Sequence, residues 1–126
     1  MRQEYYAHTS SSRENEKLLD HLLLTAKLAK VNGSAFHNGK VCEQLGLLHD
    51  IGKRTENFQE VLEGTKIKQD HAIVAAIYYF SHGICDDKWL KRRMAAIMAA
   101  HHCFLYTMET IKSDSGKHTG AGHKII

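Results

Sequence analysis

Apolar residues recur along this chain at the three-and-four spacing of a buried helix face, in five successive blocks. Between about Asn15 and Lys30 the stripe is Leu18, Leu22 and Leu28, filled in by Ala26 and Ala29, behind a serine-rich region suited to capping. "VNGSAFHNG" is expected to end this helix. A second block, Lys40 to His49, repeats the period through Val41, Leu45 and Leu48; Gly46 suits a close helix approach and Gly52 a terminator. A short third helix over Glu56 to Leu62 is expected to stop at Gly64. Asp70 is a natural N-cap for "HAIVAAIYYF", which is apolar on nearly all sides and therefore central to the core. After the loop "SHGICDD", the block Lys88 to His102 carries Leu90, Met94, Ile97, Met98 and His101 on one stripe. No convincing period-two strand appears, so the pattern predicts an all-α bundle of about five to six helices. The tail from about residue 113 to 126, glycine-rich and small-polar, reads as loop or disorder.

Length and composition refine this picture. The 126 residues fit one domain, 1–126, able to bury a core without disulfides. Cys42, Cys85 and Cys103 are odd in number and form no CxxC pair, which argues against a disulfide framework or a cysteine zinc cage and suits a reducing cytoplasm. No signal-peptide core stands at the start, and "AIVAAIYYF" is too short to span a bilayer, so a soluble protein without a membrane partner is expected. The net charge of +3 is compatible with a phosphate-bearing partner without requiring one. The unusual number is ten histidines.

His21, His49, His71 and His101 each fall inside or at the end of an otherwise apolar helix, and Asp50 directly follows His49. Buried polar groups without partners cost a few kcal/mol each, so several imidazoles and a carboxylate inside a bundle are most readily satisfied by a common cation. Imidazole nitrogen with carboxylate oxygen suits zinc, manganese, iron, cobalt or nickel, and a bridging Asp50 also permits a second ion.

These residues carry a resemblance. "YAHTS", "LLDHLLLTAKLA", "LGLLHDIGK", "FQEVL", "DHAIVAA" and "AAIMAAHH", in that order from about Tyr6 to His102, resemble the HD-domain metal-dependent phosphohydrolases. Within that superfamily they look like the HD nuclease of type I CRISPR interference systems, which accompanies a helicase. The resemblance implies an HD-domain helical bundle around a histidine/aspartate metal site, with one or two divalent ions (manganese, nickel, cobalt, magnesium, iron or zinc). It implies His21 and His49 on one ion, His71, His101 and His102 on the other, and Asp50 bridging. Adjacent residues of a helix point about 100° apart, so a bent helix end is expected if His101 and His102 are to serve together. The family also supplies an aspartate from a late helix; after His102 this chain has Glu109 and Asp114, and Cys103 where the family has glycine. Water or a loop carboxylate is expected in the place of that aspartate.

The implied activity is metal-dependent hydrolysis of single-stranded DNA in antiviral CRISPR interference, with a separate helicase subunit and the interference complex as partners. Coordinated metal lowers the pKa of water towards about 7, so no serine or cysteine nucleophile is needed. Asp50 and Lys53 are the catalytic candidates, Lys53 either neutralising the phosphate, pairing with Asp50 or facing solvent. His8, Lys91, Arg92 and Arg93 are candidate substrate contacts. The alternatives are an HD nucleotide phosphohydrolase, which would show a deep closed pocket, and an inactive, truncated HD metal-binding module.

Overall fold

The computed structural model describes residues 2–9, 15–66, 70–83 and 85–102. The predicted tail, Cys103, Glu109 and Asp114 lie outside these residues. Before the first helix the chain forms a small antiparallel ribbon of β1 (Tyr6–His8) and β2 (Glu16–Lys17), with Tyr6 opposite Lys17 and His8 opposite Glu16. Periodicity had suggested no strand here, because a three-residue strand with one buried residue, Ala7, carries too little pattern to register. The side chain of Gln59 supplies what a third strand would: it accepts from the Tyr6 N–H at 3.1 Å and donates to the Tyr6 carbonyl at 2.9 Å.

Five helices follow: α1 (Leu18–Ser34), α2 (Gly39–Leu48), α3 (Glu56–Leu62), α4 (His71–His82) and α5 (Lys88–Ala100), with a 3₁₀ segment, Ile51–Arg54, between α2 and α3. The described residues are therefore an all-α bundle apart from the ribbon. Each predicted helix is present, with altered edges. α1 continues through "VNGS" to Ser34, because Gly33 packs against the Cys42 side chain of α2 and is held in the helix by that contact. Gly46 lets α2 touch the α1 backbone: a Cβ there would lie 2.9 Å from the Thr25 carbonyl and 3.0 Å from Ala26 Cα. Gly52 does not terminate α2, which ends at Leu48. It sits inside the 3₁₀ segment, where a Cβ would fall 2.1 Å from the His71 carbonyl, so its absence of a side chain is what allows the start of α4 to approach.

The main core lies between α4 and α5, where Ile73, Val74, Ala75, Ala76 and Tyr79 meet Met94, Ala95, Met98 and Ala99, with Val41, Leu45 and Leu48 of α2 packed on them. Burying side chains the size of Ile73 or Met98 contributes roughly 1.5–3 kcal/mol each. Ile51 also touches the smaller cluster of Ala7, Leu18 and Leu22, tying the ribbon and α1 to that core. Three residues of the predicted stripes face outward instead: Leu28, Leu90 and Ile97 are exposed. The leucine-rich run of α1 is apolar around more than one face, and contact at Gly46 selects the face of Leu18, Leu22 and Ala26. Two caps are as expected from sequence: Asp70 accepts from the Ile73 N–H at 3.0 Å, and Gly64, at φ +81°, follows α3. Among the described residues no helix is long and apolar enough to cross a membrane.

Candidate metal centre

α2 ends in His49, Asp50 adopts φ −109° and ψ 13°, and the chain enters the 3₁₀ segment. This turn drives the Asp50 side chain into the interior, where the residue is 3% exposed. Four imidazoles and one ammonium surround it. Its Oδ2 lies 3.1 Å from His21 Nε2 of α1, 3.2 Å from His49 Nε2 and 2.9 Å from Lys53 Nζ. Its Oδ1 lies 3.1 Å from His71 Nε2 at the start of α4 and 3.2 Å from His101 Nε2 at the end of α5. His102 joins the second set through His71, with 3.0 Å between their Nε2 atoms. The last turn of α5 is tightened: the His101 N–H reaches back to the Met98 carbonyl, three residues earlier, and the adjacent rings stand 4.1 Å apart. The helix end thus departs from the 100° spacing that would have separated them.

The orientation of the rings follows from their far nitrogens. His49 Nδ1 donates to the Gly46 carbonyl at 2.7 Å, and His101 Nδ1 donates to the Met98 carbonyl at 2.6 Å. In the neutral ring this leaves the Nε2 lone pair pointing at Asp50. Lone pairs of nitrogen and carboxylate oxygen 3.1–3.2 Å apart require a proton or a metal cation between them. Donors on one cation, with bonds of about 2.0–2.2 Å, stand roughly 3 Å apart, which the observed separations match. Two donor sets share Asp50: His21, His49 and Asp50, and Asp50, His71, His101 and His102. The residues present therefore fit one or two divalent ions. The chemistry of the set, imidazole and carboxylate without thiolate, accommodates zinc, manganese, iron, cobalt or nickel without choosing one.

Protonation follows the same geometry. Burial alone would raise the Asp50 carboxyl, but hydrogen bonds from His101, His49 and His71 outweigh it and hold the group far below the usual carboxylate range. Burial opposes charge on His49, while its contact with Asp50 prevails and raises the imidazole. His102 is lowered, by burial and by the neighbouring rings of His101 and His71.

Of the sequence candidates, His21, His49, Asp50, His71, His101 and His102 converge on one point. Lys53 does too, in the way its pairing alternative had it: it is 4% exposed, donates to the Ala7 carbonyl at 3.2 Å as well as to Asp50, and lies over the Phe58 ring. It is not a solvent-facing lysine. His8 stands at the rim, exposed, with its ring 5.4 Å from that of His21. Lys91, Arg92 and Arg93 are not brought to the cluster. They lie in the first two turns of α5, and nine residues separate Arg92 from His101, about 14 Å along the axis. Sequence reasoning passed over three contributors. Glu16 faces the outer edge of His21, Phe58 packs edge-on to His71 with 4.9 Å between centroids, and Gln59 anchors the ribbon. Phe58 and Gln59 open the block "FQEVL", which gave them no role of their own, and Glu16 lies in no quoted block; the strand pairing and the packing of α3 place them.

A profile of the HD domain family matches residues 18–121. The chain belongs to the HD domain family. HD domains are metal-dependent phosphohydrolases that bind divalent cations, and in this one Asp50 with its surrounding imidazoles supplies donors suited to that role. No curated protein and no solved structure matches the chain significantly.

Proposed function

We propose that this HD domain is a metal-dependent nuclease that hydrolyses phosphodiester bonds of single-stranded DNA in CRISPR interference, working with a separate helicase subunit. The observation that carries the hydrolytic part is the sharing of one buried carboxylate, Asp50, between two imidazole sets. His21 and His49 would hold one ion and His71, His101 and His102 the other, with Asp50 between them. A bound divalent cation supplies Lewis acidity, bringing the pKa of water towards about 7 and offsetting charge on the phosphate oxygens. The chain's own part is preorganisation. Lys53 holds Asp50 Oδ2, and the carbonyls of Gly46 and Met98, by taking the Nδ1 hydrogens, would leave two Nε2 lone pairs to a bound ion. The packed helix ends keep the donors rigid.

Polymeric substrate, rather than a small nucleotide, is supported by two features. The cluster reaches the surface, with His102 exposed and His8 exposed beside His21, so a strand has access without entering a closed pocket. The ordered blocks from "YAHTS" to "AAIMAAHH" resemble the CRISPR nucleases rather than HD domains in general. The test is hydrolysis of labelled single-stranded DNA by protein stripped with chelator and reloaded with manganese, nickel, cobalt or magnesium, with Asp50→Ala as control and nucleoside mono- and triphosphates as competing substrates. Metal-dependent cutting lost in Asp50→Ala is expected. Hydrolysis of nucleotides with intact DNA would replace the nuclease reading by a nucleotide phosphohydrolase.

A further inference from the structure

Each imidazole that faces Asp50 needs something to hold its other nitrogen. A metal-ligating histidine that donates its second ring N–H to a fixed acceptor is locked in tautomer and orientation. His49 and His101 have backbone carbonyls for this purpose. His21 is differently placed: its ring stands between two carboxylates, with Nε2 3.1 Å from Asp50 Oδ2 and Nδ1 3.4 Å from Glu16 Oε1. We propose that Glu16 is a positioning residue, whose carboxylate takes the Nδ1 hydrogen of His21 and leaves Nε2 as the metal-directed lone pair. This rests on the reading of the cluster as a metal centre.

Glu16 is suited to the task because the ribbon that carries it is tied down. It pairs with His8 across the strands and lies two residues before α1 begins. Leu18 N–H donates to the Tyr5 carbonyl at 2.8 Å, Gln59 clamps Tyr6, and Lys53 holds the Ala7 carbonyl. Lys53 therefore links the ribbon to Asp50 directly, so both carboxylates that flank His21 are referred to the same ammonium. His8, Glu16 and His21 also bring three donor atoms together at the rim, as a separate ion would require. That use is the weaker one, because His21 cannot give Nδ1 to a rim ion and Nε2 to the centre unless its ring loses both hydrogens. The second oxygen of Glu16 lies 3.7 Å from His8 Nε2, beyond hydrogen-bond distance.

The experiment is a manganese titration of the chelator-stripped full chain by calorimetry, with bound metal counted by mass spectrometry, on wild type, Glu16→Ala, Glu16→Gln and His8→Ala. Glu16→Ala is expected to weaken one bound ion about 10- to 100-fold and leave the other unchanged. Glu16→Gln keeps an oxygen that can accept the ring hydrogen, so it should recover most of that loss, whereas Glu16→Ala should not. His8→Ala should match wild type, and the metal-free melting temperatures of all four should agree, which separates positioning from a folding defect. Unchanged affinities in Glu16→Ala would overturn the proposal while leaving the metal centre intact. An additional ion in wild type that is lost in both Glu16→Ala and His8→Ala would overturn it in favour of a rim site. A wild type that binds no manganese would overturn this proposal and the metal-centre reading together.

Discussion

Asp50 is a single carboxylate that satisfies, and is satisfied by, five neighbours, so its substitution tests the whole centre. Asp50→Ala is expected to abolish divalent-metal binding, measured by metal content after gel filtration. Among the described residues Lys53 is its one permanent cation. Lys53→Met removes that cation but leaves the four imidazoles on Asp50, so it is expected to destabilise the metal-free protein by roughly 1–3 kcal/mol in denaturant unfolding. His49 sets a pH dependence. Its folded pKa is raised, so the stability it contributes is present below its unfolded pKa and is lost as pH rises through the folded value. Asp50 has the opposite sign: its lowered carboxyl contributes stability above the unfolded carboxylate pKa that is lost as pH falls. The metal-free stability difference between wild type and His49→Asn should accordingly be larger at about pH 5.5 than at about pH 8. A difference that grows with pH would reverse the assignment.

At the scale of elements, the site depends on how closely helices approach. Gly52 admits the first residue of α4 against the 3₁₀ segment, and that residue is His71. Gly52→Ala should push His71 away, so it is expected both to destabilise the fold by about 1–3 kcal/mol and to weaken the binding proposed for an ion at His71, His101 and His102. Gly46→Ala has a milder clash, with the α1 backbone at 2.9 Å against 2.1 Å at Gly52, and lies away from His71, His101 and His102. It should lower the melting temperature with a smaller effect on that ion. Measuring melting and manganese affinity on both variants separates general overpacking from displacement of His71.

For the whole molecule, the centre joins parts of the chain distant in sequence: His21 belongs to α1 and His101 to the end of α5, and both reach Asp50. Ion binding therefore stabilises the tertiary arrangement and not one helix. A ligand that binds only the folded state at about 100 times its Kd adds about 2.7 kcal/mol. Manganese at that excess should raise the melting temperature of wild type, chelator should reverse the rise, and Asp50→Ala should show neither shift.

By itself the sequence determined the five helices, the N-cap at Asp70 and the stop at Gly64, because helical period and capping chemistry are local, and it singled out the six histidine and aspartate residues that the fold brings together. The order of motifs carried the HD resemblance as well. It did not determine which face of α1 is buried, since Leu19, Leu23, Leu24 and Leu28 are as apolar as the residues that pack; the backbone contact at Gly46 decided that. The ribbon was illegible because strands of three and two residues leave no period, and Glu16 went unnoticed with it. Lys53 was open to pairing with Asp50 or facing solvent, and its burial with the Ala7 carbonyl as a second acceptor decided for the pairing. The joint use of His101 and His102 turned on a tightened last turn of α5. Each of these depends on contacts between residues distant in the chain, which local pattern does not encode and close packing does.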